Sequence, residues 1–188
     1  MRTLDRLLQK AKRLRCRHIS NQSCSERIFE KGTITIYHDY ERHYHSPTVM
    51  EYSDRGIQEI LRIEKKHGIL ASYNVVAKLV EDVPIIINQI WKNQHEIACH
   101  SLSHEIMSKL SLEEMRRNII DSITIFQKNG LRLHGLRSPQ SKWSFRQLPI
   151  MISLNLRWSA ENDDAEFPYT ILKNKYRQLI RMPIKMDD

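Results

Sequence analysis

Three of the nine histidines in this 188-residue chain fall within ten positions, HEIACHSLSH, residues 95–104. His100 and His104 stand four apart, and imidazoles at that spacing on a helical turn face the same way and can share one ion. His95 and His100 are five apart, which sends the second ring to another helix face, so the metalloprotease spacing H-E-x-x-H is not met. The segment YHDYE supplies Asp39 and Glu41. Side chains two apart on a strand share a face, and two carboxylates there can divide labour between holding a cation and accepting a proton. A third segment, RSPQSKW, contributes Arg137, Pro139 and Trp143. Two neutral imidazoles and one carboxylate leave an open position on Zn²⁺ or a similar divalent ion, which lowers the pKa of its water and polarises a carbonyl. The chemistry suggested is hydrolysis.

Such groups work only if elements far apart in sequence bring them together. HEIAC alternates apolar residues and predicts a strand whose carboxyl end carries the histidine pair, the end at which α/β folds place ligands. TITIYHD, ILASYNVV and LRLHGLR predict further strands. Between them, EYSDRGIQEILRIEKKHG places Ile57, Ile60, Leu61 and Ile63 at helical spacing before Gly68, and VPIIINQIWKNQ predicts a helix opened by proline. SLEEMRRNIIDSITIFQKNG carries Ser111 as N-cap, Glu114 for a capping box, an apolar face of Met115, Ile119, Ile123 and Phe126, and Gly130 to end it. After Trp143 a helix and strand over FRQLPIMISLNLRWSAE and a final strand near Ile180–Ile184 are the remaining signals. Strands alternating with helices predict βα units around a parallel sheet, open or closed into a barrel.

Composition narrows the class. With 40% hydrophobic and 28% charged residues the chain is expected to fold as one domain with a sizeable core. No run of 18 apolar residues is present to span a membrane. Cys16, Cys24 and Cys99 form no C-x-x-C pair, and free thiols in a reducing compartment are expected. The net charge of +8 is concentrated at the start: residues 1–17 carry seven basic groups and Asp5, leaving only +2 on the other 171 residues. The body has no basic stripe for nucleic acid. Leu4, Leu7, Leu8, Ala11 and Leu14 lie at helical spacing in that basic tail, giving two readings: a helix packed on the domain, or a peripheral contact with an anionic membrane surface. Residues 1–30 are expected to be a basic amphipathic extension and 31–188 the domain, in the cytoplasm or at the inner membrane surface.

In order and type these motifs resemble those of the polysaccharide deacetylases, carbohydrate esterase family four. HSLSH matches that family's H-[ST]-x-x-H, and RSPQSKW matches R-x-P trailed by an aromatic. YHDYE departs from the common T-F-D-D-G, placing Tyr40 at the usual metal-binding acid, and follows the D-x-D or D-x-E form instead. The resemblance covers roughly residues 32–183. It implies an irregular (β/α) barrel with fewer than eight parallel strands, and removal of an acetyl group, as amide or ester, from an N-acetylhexosamine-containing glycan. By the resemblance Asp39 is the catalytic base, and Glu41, His100 and His104 hold a divalent metal, Zn²⁺ first among candidates. His38, His43 and His45 compete for the metal by proximity. Arg137 holds Asp39 ionised and oriented through a charged hydrogen bond. Pro139 and Trp143 are placed at the substrate, with Trp143 either lining a sugar-stacking groove or serving as a core aromatic. The rival expectation is a non-catalytic relative that binds glycan or holds a partner at a membrane. Family members usually end in a strand bearing a histidine that protonates the departing amine, whereas no histidine follows His134 here. His134 is three residues from Arg137 and should face the other way. The expectation is a sheet lacking its terminal strands, with an open edge and amine expulsion slowed by about 10²–10⁴-fold.

Overall fold

Apolar residues at helical and alternating spacings set the element boundaries. The computed structural model describes residues 34–44 and 50–185, and the basic tail with its proposed membrane contact lies outside them. β1 (Tyr37–Tyr40) leads through a 3-10 turn at Arg42–Tyr44 toward α1 (Met50–His67), then β2 (Ser72–Val75), α2 (Leu79–Asp82), α3 (Pro84–Lys92) and β3 (Glu96–Cys99). α4 (Leu112–Lys128), β4 (Gly135–Arg137), α5 (Gln147–Ser153), β5 (Trp158–Asn162), β6 (Tyr169–Lys173) and β7 (Gln178–Ile184) follow. Among the described residues one sheet contains seven strands in the order β1-β2-β3-β4-β5-β7-β6. Every neighbouring pair is parallel except β6 with β7. The expected incomplete (β/α) barrel is present as a curled, mostly parallel half-barrel. The antiparallel β6 carries no separate signal in the sequence reading: its five residues, YTILK, include three that are only half-buried, so neither face alternates cleanly.

α4 behaves as its sequence dictates. The Ser111 hydroxyl accepts from the Glu114 N–H, and the Glu114 carboxylate accepts from the Ser111 N–H. At the other end Gly130, at φ +75°, and Leu131 donate to the Gln127 and Phe126 carbonyls, a pairing that needs a left-handed residue at Gly130. α1 departs from its periodicity. Ile57 and Leu61 are buried, but Ile63 is 43% exposed and the third inward position belongs to Glu64, 4% exposed. Glu64 can sit there because Tyr73 Oη donates to it at 2.6 Å and His38 lies 2.8 Å away.

Register divides the inside of the half-barrel into layers. At the amino ends Tyr37, Ser72 and Glu96 stand side by side, as do Gly135 and Trp158. Trp158 fills this layer: its Nε1 donates to Glu96 at 2.9 Å, Ser72 donates to the same carboxylate at 2.6 Å, and the indole lies where a Gly135 Cβ would be. Two residues further along, Asp39 is level with Asn74 and Ala98, and Arg137 with Ala160. The lower layer is plugged and the upper one lies at the carboxyl ends. Among the described residues no helix is long and apolar enough to cross a membrane.

Candidate metal centre and catalytic site

Alternation along the first strand separates its three key residues. Tyr40 points away into the core, 1% exposed, and donates to Asp54 at 2.8 Å. Burial, reinforced by that carboxylate, pushes its phenol well above the ordinary value. Asp54 also binds Arg42, whose φ of 48° turns the chain just beyond Glu41. Asp39 and Glu41 face the open end instead. Asp39 Oδ2 accepts from Arg137 Nε at 2.8 Å, and Oδ1 accepts from Asn74 Nδ2 at 2.8 Å. Its side chain keeps 26% exposure, enough for water to reach it. Glu41 Oε1 lies 2.9 Å from His100 Nε2 and 3.0 Å from His104 Nε2.

The histidines converge through a turn, not through helical spacing. Ser101 and His104 adopt φ of 67° and 65°, and the two rings lie with centroids 5.3 Å apart. The pair therefore sits on a turn at the end of β3, as the strand-end reading expects, and a helical step is not what aligns the rings. The turn is pinned by its main chain: the Ser101 and Leu102 carbonyls accept from Ala77 and Lys78, the Leu102 N–H donates to Asn118, and the Ser103 N–H donates to Glu105. Cys99 is no part of the donor set. It is fully buried in β3, where burial pushes its thiol up to about 12.

Donor chemistry tests whether a metal fits. His100 Nδ1 faces the Arg137 carbonyl at 2.9 Å, and a carbonyl only accepts, so Nδ1 carries the hydrogen. In a neutral ring Nε2 then presents a lone pair to the Glu41 carboxylate 2.9 Å away. Two acceptors at that distance require a cation between them, either a proton or a metal ion. Donor atoms of Glu41, His100 and His104 all lie within 4.8 Å of one another, and among the described residues no other group of three such side chains does. Burial alone would raise the Glu41 carboxyl, yet the hydrogen bonds and charge of the two imidazoles outweigh it and hold the carboxyl well below the usual range. The residues fit a divalent ion.

The remaining expected residues are placed less directly. Arg137 is 7% exposed at the end of β4 and reaches Asp39. Pro139 is buried in the 3-10 turn Pro139–Ser141 that follows. Trp143 is 3% exposed, packs edge-on against Phe145, and carries the Arg181 guanidinium 4.0 Å over its ring. That is the core-aromatic alternative of the two. His38 is taken by Glu64 and His43 stacks on Tyr44, while His45 lies outside the described residues. His134 precedes β4 at its amino end, where its carbonyl accepts from Arg157 and Trp158. Sequence reasoning missed Asn74, Asp54 and Glu161. Asn74 left one signal, a fully polar side chain in the otherwise apolar end of SYNVV.

Comparison with known proteins agrees with this geometry. Residues 35–158 match the family described as polysaccharide deacetylase. A protein from Mycobacterium smegmatis assigned to the polysaccharide deacetylases superposes with a TM-score of 0.72 at 17% identity, over 80% of this chain and 58% of that one. Puue allantoinase superposes at 0.69 and 16% identity, over 81% and 61%. A carbohydrate esterase family four pseudoenzyme from Bacillus anthracis does so at 0.59 and 16%, over 68% and 42%. At these identities the structural likeness is one of fold, and the chain spans less than two thirds of each of these structures. The match over residues 35–158, which contain every residue of the Asp39–Glu41–His100–His104–Arg137 constellation, establishes that the chain belongs to the polysaccharide deacetylase family.

Proposed function

We propose that the chain is a metal-dependent hydrolase that removes an acetyl group from an N-acetylhexosamine unit of a glycan. The observation that carries this is the position of Glu41 Oε1 between His100 Nε2 and His104 Nε2, beside an aspartate held by an arginine. A divalent ion on Glu41, His100 and His104, Zn²⁺ by the donor types, would supply Lewis acidity and a water of lowered pKa.

Each side chain then has a task. Asp39 Oδ2 lies 3.9 Å from His100 Nε2, so a water at the ligand set is within reach of the carboxylate. Asp39 is placed to accept a proton from a water held there. Arg137 and Asn74 each hold one carboxylate oxygen, which fixes its plane. Protonated Asp39 can return that proton to the departing amine.

The test is metal content together with acetate release from N-acetylglucosamine oligomers by purified protein. Stoichiometric divalent metal, lost in His100→Ala and His104→Ala along with acetate release, is expected. Absence of bound metal, with both variants indistinguishable from wild type, overturns the reading in favour of a glycan-binding relative.

A further inference from the structure

The peptide unit that joins Arg137 to Ser138 is engaged on both sides. Its carbonyl accepts from His100 Nδ1 at 2.9 Å. Its N–H donates to Glu161 Oε1, also at 2.9 Å. A trans peptide points these two groups in opposite directions, toward β3 and toward β5, the strands that flank β4. A carboxylate, a peptide and an imidazole are thereby connected in one line that ends at Glu41.

Glu161 has no place in the chemistry described so far, and its burial is complete. It shares a sheet face with Ser159, whose partner in register is Arg181, also fully buried. Burial pushes the Glu161 carboxyl up to about 7 against the pull of Arg181 and of the Ser138 N–H. Keeping a carboxyl and a guanidinium out of water is costly, and replacing such a pair by apolar residues is often neutral or stabilising. A role beyond packing is the simpler account of why this carboxylate stands behind the end of β4.

We propose that Glu161 is a positioning residue for the metal centre, acting on His100 through the Arg137–Ser138 peptide. A carboxylate bonded to the N–H polarises the amide, so that the carbonyl oxygen gains negative character and binds the His100 Nδ1–H more tightly. The stronger bond fixes the tautomer that leaves Nε2 bare toward Glu41 and raises the basicity of that nitrogen. Metal-binding histidines usually give their other N–H to a carboxylate or carbonyl. In this chain the carbonyl is adjacent and the carboxylate stands one peptide further back. His104 Nε2 lies 3.0 Å from the same Glu41 oxygen, and its ring is the reference against which the change at His100 is read.

This inference rests on His100 being a metal ligand, but its test does not need turnover. The full chain is compared with Glu161→Gln, which keeps volume and an acceptor oxygen but removes the charge. The second variant combines Glu161→Gln with Arg181→Met, so that neither buried charge outlasts the other. Nitrogen-15 and proton resonances of the His100 and His104 rings are recorded on metal-free protein at about pH 8, above the Glu161 carboxyl's value of about 7, and Zn²⁺ affinity is measured at the same pH by competition with a chelator. Expected are an upfield shift of the His100 Nδ1 proton, little change at His104, and Zn²⁺ affinity lower by about tenfold to a hundredfold in folded variants. Unchanged His100 resonances and unchanged affinity in either folded variant would overturn the proposal. So would a wild-type His100 with its hydrogen on Nε2, a result that needs no variant. If wild-type protein binds no Zn²⁺, the hydrolase reading falls, while the His100 resonances still decide this one.

Discussion

Asp39 and Glu41 are two residues apart at the end of one strand, yet the fold gives them opposite neighbours. Asp39 is held by a guanidinium and an amide, and Glu41 by two imidazoles. A guanidinium and an amide orient a carboxylate without taking it out of action, whereas imidazoles turned toward a carboxylate form a cation cage. The roles should therefore separate cleanly. Glu41→Ala is expected to weaken Zn²⁺ binding strongly, and Asp39→Asn to leave the metal bound while acetate release falls by about 10²–10⁴-fold. Equilibrium metal titration of both variants checks this, and the reverse pattern would exchange the two assignments.

Asn74 is the partner that fixes the second oxygen of Asp39, from the neighbouring strand and in register with it. Asn74→Ala removes a hydrogen bond to a charged group, worth roughly 1.5–3 kcal/mol. If that bond orients the base, kcat/KM should fall about tenfold to a hundredfold, with Zn²⁺ affinity within twofold of wild type. An equal loss of metal affinity would mean that Asn74 acts on the ligand set as a whole.

Most of this site was legible because its chemistry sits in short contiguous motifs. HSLSH, RSPQSKW and the Asp39–Glu41 pair each lie at a strand end, and a strand end is readable from alternation and turn residues. Asn74 and Glu161 were not, since each does its work through a partner on a neighbouring strand, and one chain read alone shows no register. That a turn at the end of β3 presents His100 and His104 was readable, but its left-handed φ at Ser101 and His104 was not, because no glycine announces it. Among the elements, α4 was legible from cap to cap. α1 was misjudged at Ile63 because Glu64, with Tyr73 and His38 to satisfy it, displaced an isoleucine from the inner face. β6 was missed because it pairs on one side only and is mostly half-buried.

Gly135 is fixed by the indole of Trp158, which fills the space a side chain would need. Its backbone has no unusual φ, so the restriction is one of room. Gly135→Ala forces the indole or β4 to shift and is expected to cost about 1–3 kcal/mol. In a Trp158→Ala background the same substitution should cost much less, because the overlap is gone. Chemical denaturation of the four proteins gives the coupling directly. Additive effects would show that Gly135 is needed for some reason other than the indole.

Glu161 makes stability depend on pH in a direction opposite to that of most carboxylates. Its carboxyl is raised from 4.5 to about 7, chiefly by burial, so the folded state holds a proton that the unfolded chain releases. Its contribution is fully present below pH 4.5 and is lost as pH rises through about 7. A shift of this size corresponds to about 3 kcal/mol. Glu41 works the other way: its carboxyl is lowered, and its contribution is lost as pH falls below 4.5. Between pH 4.5 and 7 the trend from Glu161 is therefore not masked by Glu41. Metal-free wild-type protein is expected to lose stability to denaturant across that window relative to Glu161→Gln, whose amide does not titrate. Parallel pH profiles for the two proteins would mean that Arg181 keeps Glu161 ionised throughout, with its titration moved below the window.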